Sequence, residues 1–281
     1  MEGPLVKALA WRLSELLAGR QVERIDVPAD RWQANVLLKH CASRNVVRIY
    51  SHGRWLIWDF SHGISWVCYP LRRWRWSVRE PSDNGRGRIQ VGSPLTVGEG
   101  KRRLLQINMT DGPCVVLSGR PLLFVLLTES VWKRPELANL GPDVLDEKFT
   151  PVEWAMRLRA SRHKTLSQAL LDQAIAAGIG NQNKCEILFA ARLHPSTRIA
   201  AVSRLELEKT IRAARDLLQA KWRKALDKKA HAAEAGRVHD RAGEPCDICS
   251  TPIAVDRSGG DGCWTWYCPS CQKPPDEPKL F

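Results

Sequence analysis

The sequence predicts an α+β, multidomain chain: an N-terminal β-sandwich with a leading helix, then a helical domain, then a small cysteine-built ribbon. Three observations carry that prediction. Short β-rich runs crowd the stretch from Val46 to Tyr69, and strands at such spacing, with turn signals between them, suggest a sandwich. From Gln168 to Pro195 the pattern reads helix, tight glycine turn, helix. Near the C-terminus four cysteines form Cys246-x2-Cys249-x18-Cys268-x2-Cys271.

Bulk properties set the bounds. At 281 residues the chain suits one large or two modest domains plus a small module. No run of about 18 apolar residues appears, so no membrane span is expected. The N-terminus lacks the pattern of a signal peptide. The formal charge is +13, a balance that favours a polyanion such as nucleic acid; a merely solvated basic surface gives the same number. The nine cysteines form no framework of the secreted type. A reducing cytosol with a metal site fits them best.

Along the chain, Leu5, Val6, Leu9, Leu13, Leu16 and Leu17 make one helical face, and Gly19 stops it. Val46–Tyr50, Trp55–Phe60 and Ile64–Tyr69 read as strands, with Ser61-His62-Gly63 turning between the last two. Further strands are expected at Leu104–Met109 and Cys114–Ser118. Pro81–Gly100 is polar and glycine-rich, and reads as a surface loop or a poor strand within loops. The stretch Arg72 to Arg79 interleaves cations with indoles. It suits phosphate binding and base stacking, or equally an edge strand with tryptophans inward and arginines in water.

In the second half, Leu140-Gly141-Pro142-Asp143 is a turn suited to a domain boundary. Pro151 opens a helix with Trp154 and Leu158 inward, and Arg157, Arg159, Arg162, His163 and Lys164 follow as a basic approach to the glycine turn. Leu170, Leu171, Ala174 and Ile175 form an apolar stripe before the turn. Gly178 and Gly180 bracket Ile179, so the backbone can take positive φ and come close to a partner. Asn181 stands where a helix N-cap is expected, and Pro195 ends the second helix. A helix N-terminus behind such a turn offers N–H groups to a phosphate; a plain helical hairpin of any core reads the same way. Leu205–Trp222 is another amphipathic helix, and Lys221–His239 is basic and alanine-rich. The four cysteine thiolates suit one tetrahedral, structural Zn²⁺ in a two-hairpin ribbon, against the alternative of two buried cysteine pairs. Four protein ligands leave no open position for catalysis. The tail from Pro274 is expected to be disordered.

The wording of several segments goes further. Leu171-Asp172-Gln173, then Ala177-Gly178-Ile179-Gly180-Asn181, then Glu186, Leu188, Phe189 and His194-Pro195 resemble the helix–two-turn–helix of the formamidopyrimidine-DNA glycosylase / endonuclease VIII family. Met1-Glu2-Gly3-Pro4 resembles the Met-Pro-Glu-Gly-Pro opening of endonuclease VIII without its first proline. Leu140 to Asp146 matches the family's interdomain joint, and the cysteine module matches its zinc finger. The resemblance divides the chain into a catalytic β-sandwich domain at 1–125, a linker at 126–150, a helix–two-turn–helix DNA-binding domain at 151–236, a zinc finger at 237–273 and a tail at 274–281.

It also implies a function: a DNA N-glycosylase and abasic-site lyase that removes damaged bases, with oxidised pyrimidines favoured by the endonuclease VIII-like opening. In the family the proline amine attacks C1′ of the damaged nucleotide and the next Glu serves as acid/base. Glu2 matches that Glu, and Met1, expected to be retained ahead of a glutamate, stands at the nucleophile. An α-amine with a pKa of about 7.7–8.0, against about 10.4 for lysine, is roughly a tenth or more neutral at pH 7, so Met1 meets the chemical need. Arg54 replaces the family's lesion-contacting lysine, keeping charge but changing a point donor into a planar fork. Arg72 and Arg73 fall on the loop that fills the gap left by a flipped base. Gly178, Gly180 and Asn181 grip phosphate. Cys263 occupies the place of the zinc-finger arginine, and Arg257 is the candidate substitute. The implied partner is double-stranded DNA with a base lesion or abasic site, met by a monomer in the cytoplasm at the nucleoid, with no membrane. Two other readings stay open: a catalytically impaired member that binds damaged or branched DNA, and a zinc-ribbon RNA-binding protein.

Overall fold

The structure is a computed structural model that describes residues 2–27, 40–69, 75–79, 88–92, 103–110, 112–118, 122–227, 236–257 and 259–274. Two compact units divide the chain. One is Leu5–Asn139; the other is Leu140–Phe281 together with Glu2–Pro4. No described helix is long and apolar enough to cross a membrane.

The first unit is a β-sandwich preceded by helix α1 (Gly3–Leu17). Its strands are β1 (Val22–Asp26), β2 (Val46–His52), β3 (Trp55–Phe60), β4 (Ile64–Tyr69), β5 (Arg75–Arg79), β6 (Arg88–Gly92), β7 (Arg103–Met109), β8 (Cys114–Ser118) and β9 (Leu122–Leu127). Among the described residues they form one sheet in the order β1-β7-β8-β5-β6 and a second in the order β2-β3-β4-β9. Every pairing is antiparallel. The core lies where the sheets face each other. Trp58 of β3 stacks on Trp76 of β5, with ring centroids 5.4 Å apart. Leu9, Leu13 and Leu17 of α1 join the same cluster. Leu5, expected on that helix face, is exposed instead.

All of β3 is buried, on both faces. Its outer face packs Trp55 on Tyr69 and holds Asp59, which accepts from Arg48 and Ser65. The turn Thr128–Lys133 covers this side: Thr128 meets Ser65 at 2.8 Å, and Trp132 meets the His52 ring edge-on.

Two differences from expectation have physical reasons. The Arg75–Arg79 strand pairs on both sides, with β6 and β8, so it is not an edge; Trp76 serves the core, while Trp74 lies outside the described residues. Of the two readings of Pro81–Gly100, the strand within loops is the one found: it contains β6, which pairs with β5. Strands β1 and β9 escaped the sequence. Val22–Asp26 is short and half charged, and Leu122–Leu127 is an unbroken apolar run whose period does not separate strand from helix.

The second unit holds α2 (Pro151–Arg159), α3 (Leu166–Leu171), α4 (Asn181–Ala191), α5 (Arg204–Leu226) and a hairpin of β10 (Ala254–Asp256) and β11 (Thr265–Tyr267). The helix starts are local chemistry. Thr150 caps α2 with Pro151 behind it, and Thr165/Gln168 and Ser203/Glu206 make capping boxes for α3 and α5. Trp154, Leu158, Leu170, Ile179, Leu188 and Leu218 share one core. Helix α4 ends at Arg192 in the left-handed region, φ 58°, so Pro195 follows the stop rather than causing it.

Candidate active site and metal centre

The glycine turn joins α3 to α4. Gln173 braces it: its Nε2 donates to the carbonyls of Leu171 and Ile179, and its Oε1 accepts from the Gly178 N–H. Gly178 has φ +105°, which disfavours any residue with a side chain. Gly180 is extended, φ −114°, and is the N-cap of α4. Asn181 is therefore the first helical residue and not the N-cap expected from the sequence.

The glycines leave room for the start of the chain. The Gly3 N–H donates to the Gly178 carbonyl at 2.9 Å. The Glu2 carboxylate accepts from the Asn183 N–H at 3.2–3.3 Å. A Cβ on Gly180 would lie 2.3 Å from Glu2 Oε1. Gly180 has no capping side chain of its own, and Glu2 does that work from another segment. An anion at a helix N-terminus is stabilised by the dipole and by the N–H groups that no turn satisfies. Behind it, Asn183 is fully buried, and its Oδ1 accepts from Lys221 Nζ of α5 at 2.6 Å. The chain thus holds a carboxylate beside its own first residue, on the turn read as a phosphate grip.

The four cysteines converge. The Sγ atoms of Cys246, Cys249, Cys268 and Cys271 all lie within 4.8 Å of one another, with close pairs at 3.4, 3.5 and 3.9 Å. Zn–S bonds of about 2.3 Å in a tetrahedron put sulfurs roughly 3.8 Å apart, so the cluster fits structural zinc. The Ile248 N–H points at Cys246 Sγ and the Cys271 N–H at Cys268 Sγ, as thiolate ligands require. Cys263 is outside the cluster; its N–H donates to Asp261.

Side chains of α3 and α4 seat the segment between β10 and β11. Lys184 and Asp261 form an ion pair at 2.7 Å with 0% and 4% of their side chains exposed. Lys184 also reaches Thr265, and Ser167 donates to Asp261. Burial alone raises the Asp261 carboxyl, but hydrogen bonds from Lys184, Ser167 and the Cys263 N–H hold it below the usual range. Thr165 and Gln168 donate to the Gly259 and Gly260 carbonyls. Asn181 Nδ2 donates to the Trp264 carbonyl at 3.0 Å.

Comparison with known proteins agrees with this architecture. A family model described as the formamidopyrimidine-DNA glycosylase H2TH domain matches residues 140–232. The formamidopyrimidine-DNA glycosylase of Desulfitobacterium hafniense (strain DCB-2) is 29% identical over 288 residues, covering 96% of this chain and 99% of that enzyme. Endonuclease 8 of Salmonella arizonae is 28% identical over 284 residues, covering 97% and 99%. The crystal structure of Lactococcus lactis formamidopyrimidine-DNA glycosylase has a TM-score of 0.79 at 20% identity, covering 98% of this chain and all of that one.

Residues 140–232 carry the H2TH domain of this family, and the whole chain is similar to members of the formamidopyrimidine-DNA glycosylase / endonuclease VIII family. Relatives from both arms of the family match it over nearly full length at almost equal identity. A formamidopyrimidine-DNA glycosylase from Symbiobacterium thermophilum is 41% identical, over 157 residues that make up 50% of this chain and 49% of that enzyme.

Beyond the cysteine cluster, the structure brings together some of the predicted site residues and not others. Glu2, Gly178, Gly180 and Asn181 come together at one turn. Arg54 lies on the β2–β3 turn of the sandwich, its guanidinium 5.2 Å from the Tyr69 ring centroid. Arg257 lies over the Trp264 ring. Met1, Arg72 and Arg73 lie outside the described residues. The basic run that starts in the last turn of α2 is partly structural. Arg157 pairs with Glu153, Arg159 donates to the carbonyls of Ile199 and Val202, and His163 meets Asp172 at 2.8 Å.

Sequence reasoning missed Lys184, Asp261, Asn183 and Lys221, and used Glu186 as a mark of resemblance without a structural role. Glu186 accepts the N–H groups of Arg237, Val238 and His239, tying down the chain that enters the cysteine module. The available signal was α4 itself. Every residue from Asn183 to Phe189 is buried, so charges at 184 and 186 had to find partners inside.

Proposed function

We propose that this chain is a DNA repair glycosylase with abasic-site lyase activity, acting as a monomer on double-stranded DNA that carries a damaged base, with oxidised pyrimidines as the preferred lesions and the cytoplasmic nucleoid as its place of work. The observation that supports this most is the seat of Glu2: a carboxylate fixed by the Asn183 N–H on the glycine turn, next in the chain to the N-terminal amine. The neutral Met1 amine attacks C1′ of the damaged nucleotide. The C1′–base bond breaks, the base leaves with a proton, and Glu2 shuttles the protons as the amine becomes a Schiff base with the opened sugar. Gly178, Gly180 and Asn181 position phosphate, Arg54, Arg72, Arg73 and Arg257 supply cationic contacts, and the Cys246, Cys249, Cys268, Cys271 site holds structural zinc. The solved relatives include the Lactococcus lactis enzyme with abasic-site DNA and with DNA containing an oxidised pyrimidine.

Borohydride treatment with abasic or oxidised-pyrimidine duplex tests the reading. A covalent adduct on the Met1 peptide is expected, and Glu2→Gln should lower strand cleavage at least 100-fold. Equal cleavage by both forms overturns the role of Glu2. A lack of adduct and cleavage, with lesion binding intact, favours the second reading, a catalytically impaired binder of damaged or branched DNA. The observation behind that alternative is Met1 in the place of proline.

A further inference from the structure

Trp264 is a large apolar side chain left half in water, 52% exposed. Single exposed hydrophobics are common and by themselves mean little. Trp264 differs in how it is held. Its carbonyl accepts from Asn181 Nδ2, so it is joined by one hydrogen bond to the first residue after the glycine turn. The backbone before it is fixed by Lys184, Ser167, Thr165 and Gln168 through Asp261, Gly259 and Gly260. The Arg257 guanidinium lies 4.7 Å from its ring centroid. An exposed indole, kept still and paired with a cation, is suited to stacking on a planar group within a polyanion. It loses little conformational entropy on binding, and the guanidinium adds charge attraction.

We propose that Trp264, with Arg257 across its ring, is a nucleobase-stacking subsite that takes an unpaired base of the bound DNA. This rests on the DNA-binding reading above and adds to it a contact that fully paired duplex cannot make. The subsite therefore contributes to discrimination between damaged and intact DNA.

The test uses the full zinc-loaded chain and two duplexes: one with a tetrahydrofuran abasic analogue opposite 2-aminopurine, the other fully paired. Trp264→Ala should weaken binding of the abasic duplex roughly 5- to 100-fold, the range of one stacked base. The fully paired duplex should be bound as before, and Trp264→Phe should recover most of the loss. Quenching of 2-aminopurine emission by the wild type should fall in Trp264→Ala. Arg257→Met should weaken both duplexes through lost charge and retain part of the preference. Zinc content and circular dichroism of each variant show that it is folded. The proposal is overturned if Trp264→Ala weakens both duplexes equally or neither, or if quenching is unchanged. If the wild type binds neither duplex, the DNA-binding reading falls and takes this inference with it; lesion binding without cleavage removes only the catalytic reading.

Discussion

The two units are held together by different physics. In the sandwich the deepest large side chains are indoles and aliphatics. Trp58, Trp66 and Trp76 are 0–1% exposed, and Trp58 lies within 5.9 Å of both of the others. In the helical and cysteine-bearing unit the buried set includes Lys184, Glu186, Asn183 and Asp143. Each of these meets a specific partner: Lys184 meets Asp261, Glu186 three N–H groups, Asn183 Lys221, and Asp143 the Leu145 N–H. An apolar core is non-directional and tolerates shape-conserving change. A buried polar contact fixes position sharply and fails when one partner goes. The unit that holds Glu2 and the thiolates relies on such contacts more than the sandwich does, where among the described residues Asp59, held by Arg48 and Ser65, is the buried carboxylate.

That contrast can be broken in graded steps. The largest effect belongs to the metal. With zinc held as proposed, Cys268→Ser, or a strong chelator, should strip it and unfold the cysteine module, since structural zinc contributes about 10–16 kcal/mol in isolated fingers. Amide exchange should accelerate there and stay slow in β3 and β4. Protected hairpin amides in a zinc-free sample would mean that side-chain anchors alone hold the module.

Next comes the buried ion pair. Lys184→Met leaves the Asp261 charge inside and should cost about 3–5 kcal/mol in urea unfolding. Lys184→Met with Asp261→Leu should regain more than half. In the sandwich, Trp58→Phe removes buried volume but no charge and should cost about 2 kcal/mol. If the tryptophan change proves the costlier, the contrast between the units is wrong.

Smaller again is the seat of Glu2. Gly180→Ala puts a methyl 2.3 Å from Glu2 Oε1 and should cost about 1–3 kcal/mol by overpacking. Glu2→Ala in the same chain should relieve most of that loss, because φ at Gly180 is ordinary for alanine. Additive losses in the double mutant would show that Glu2 does not fill this space.

The smallest effect is titration. Burial lowers the pKa of His194 and of His239, against the opposing pull of Asp256 on the first and Asp240 on the second. Their folded values lie below the unfolded value of about 6.5. The neutral rings therefore contribute stability that is fully present above about pH 6.5 and is lost as pH falls through the lowered folded values. His194→Gln should flatten that decline in melting temperature, with zinc content followed in parallel. An unchanged slope would remove His194 from the account.

Much of this molecule was legible without coordinates. Val46–Tyr69 is β-rich and broken by turn residues, and Trp55–Phe60 and Ile64–Tyr69 came out within their bounds. The cysteine spacing named four ligands whose sulfurs do converge. The wording around Gly178 and Gly180 pointed to the right turn, though it placed the N-cap one residue late. Failures fell where local signal is ambiguous, as in Leu122–Leu127, or where a charged residue sits inside a helix, as with Lys184.

By itself, then, the sequence determined most of the strands and helices, the glycine turn and the four converging thiols, because periodicity, turn chemistry and ligand spacing are local and leave a repeat to be read. Only the tertiary structure decided that Glu2 seats on an N–H 181 positions away and that Lys184 meets Asp261 across 77. A hydrogen bond between groups so far apart depends on where two backbones end up in space, and no pattern along the chain records it.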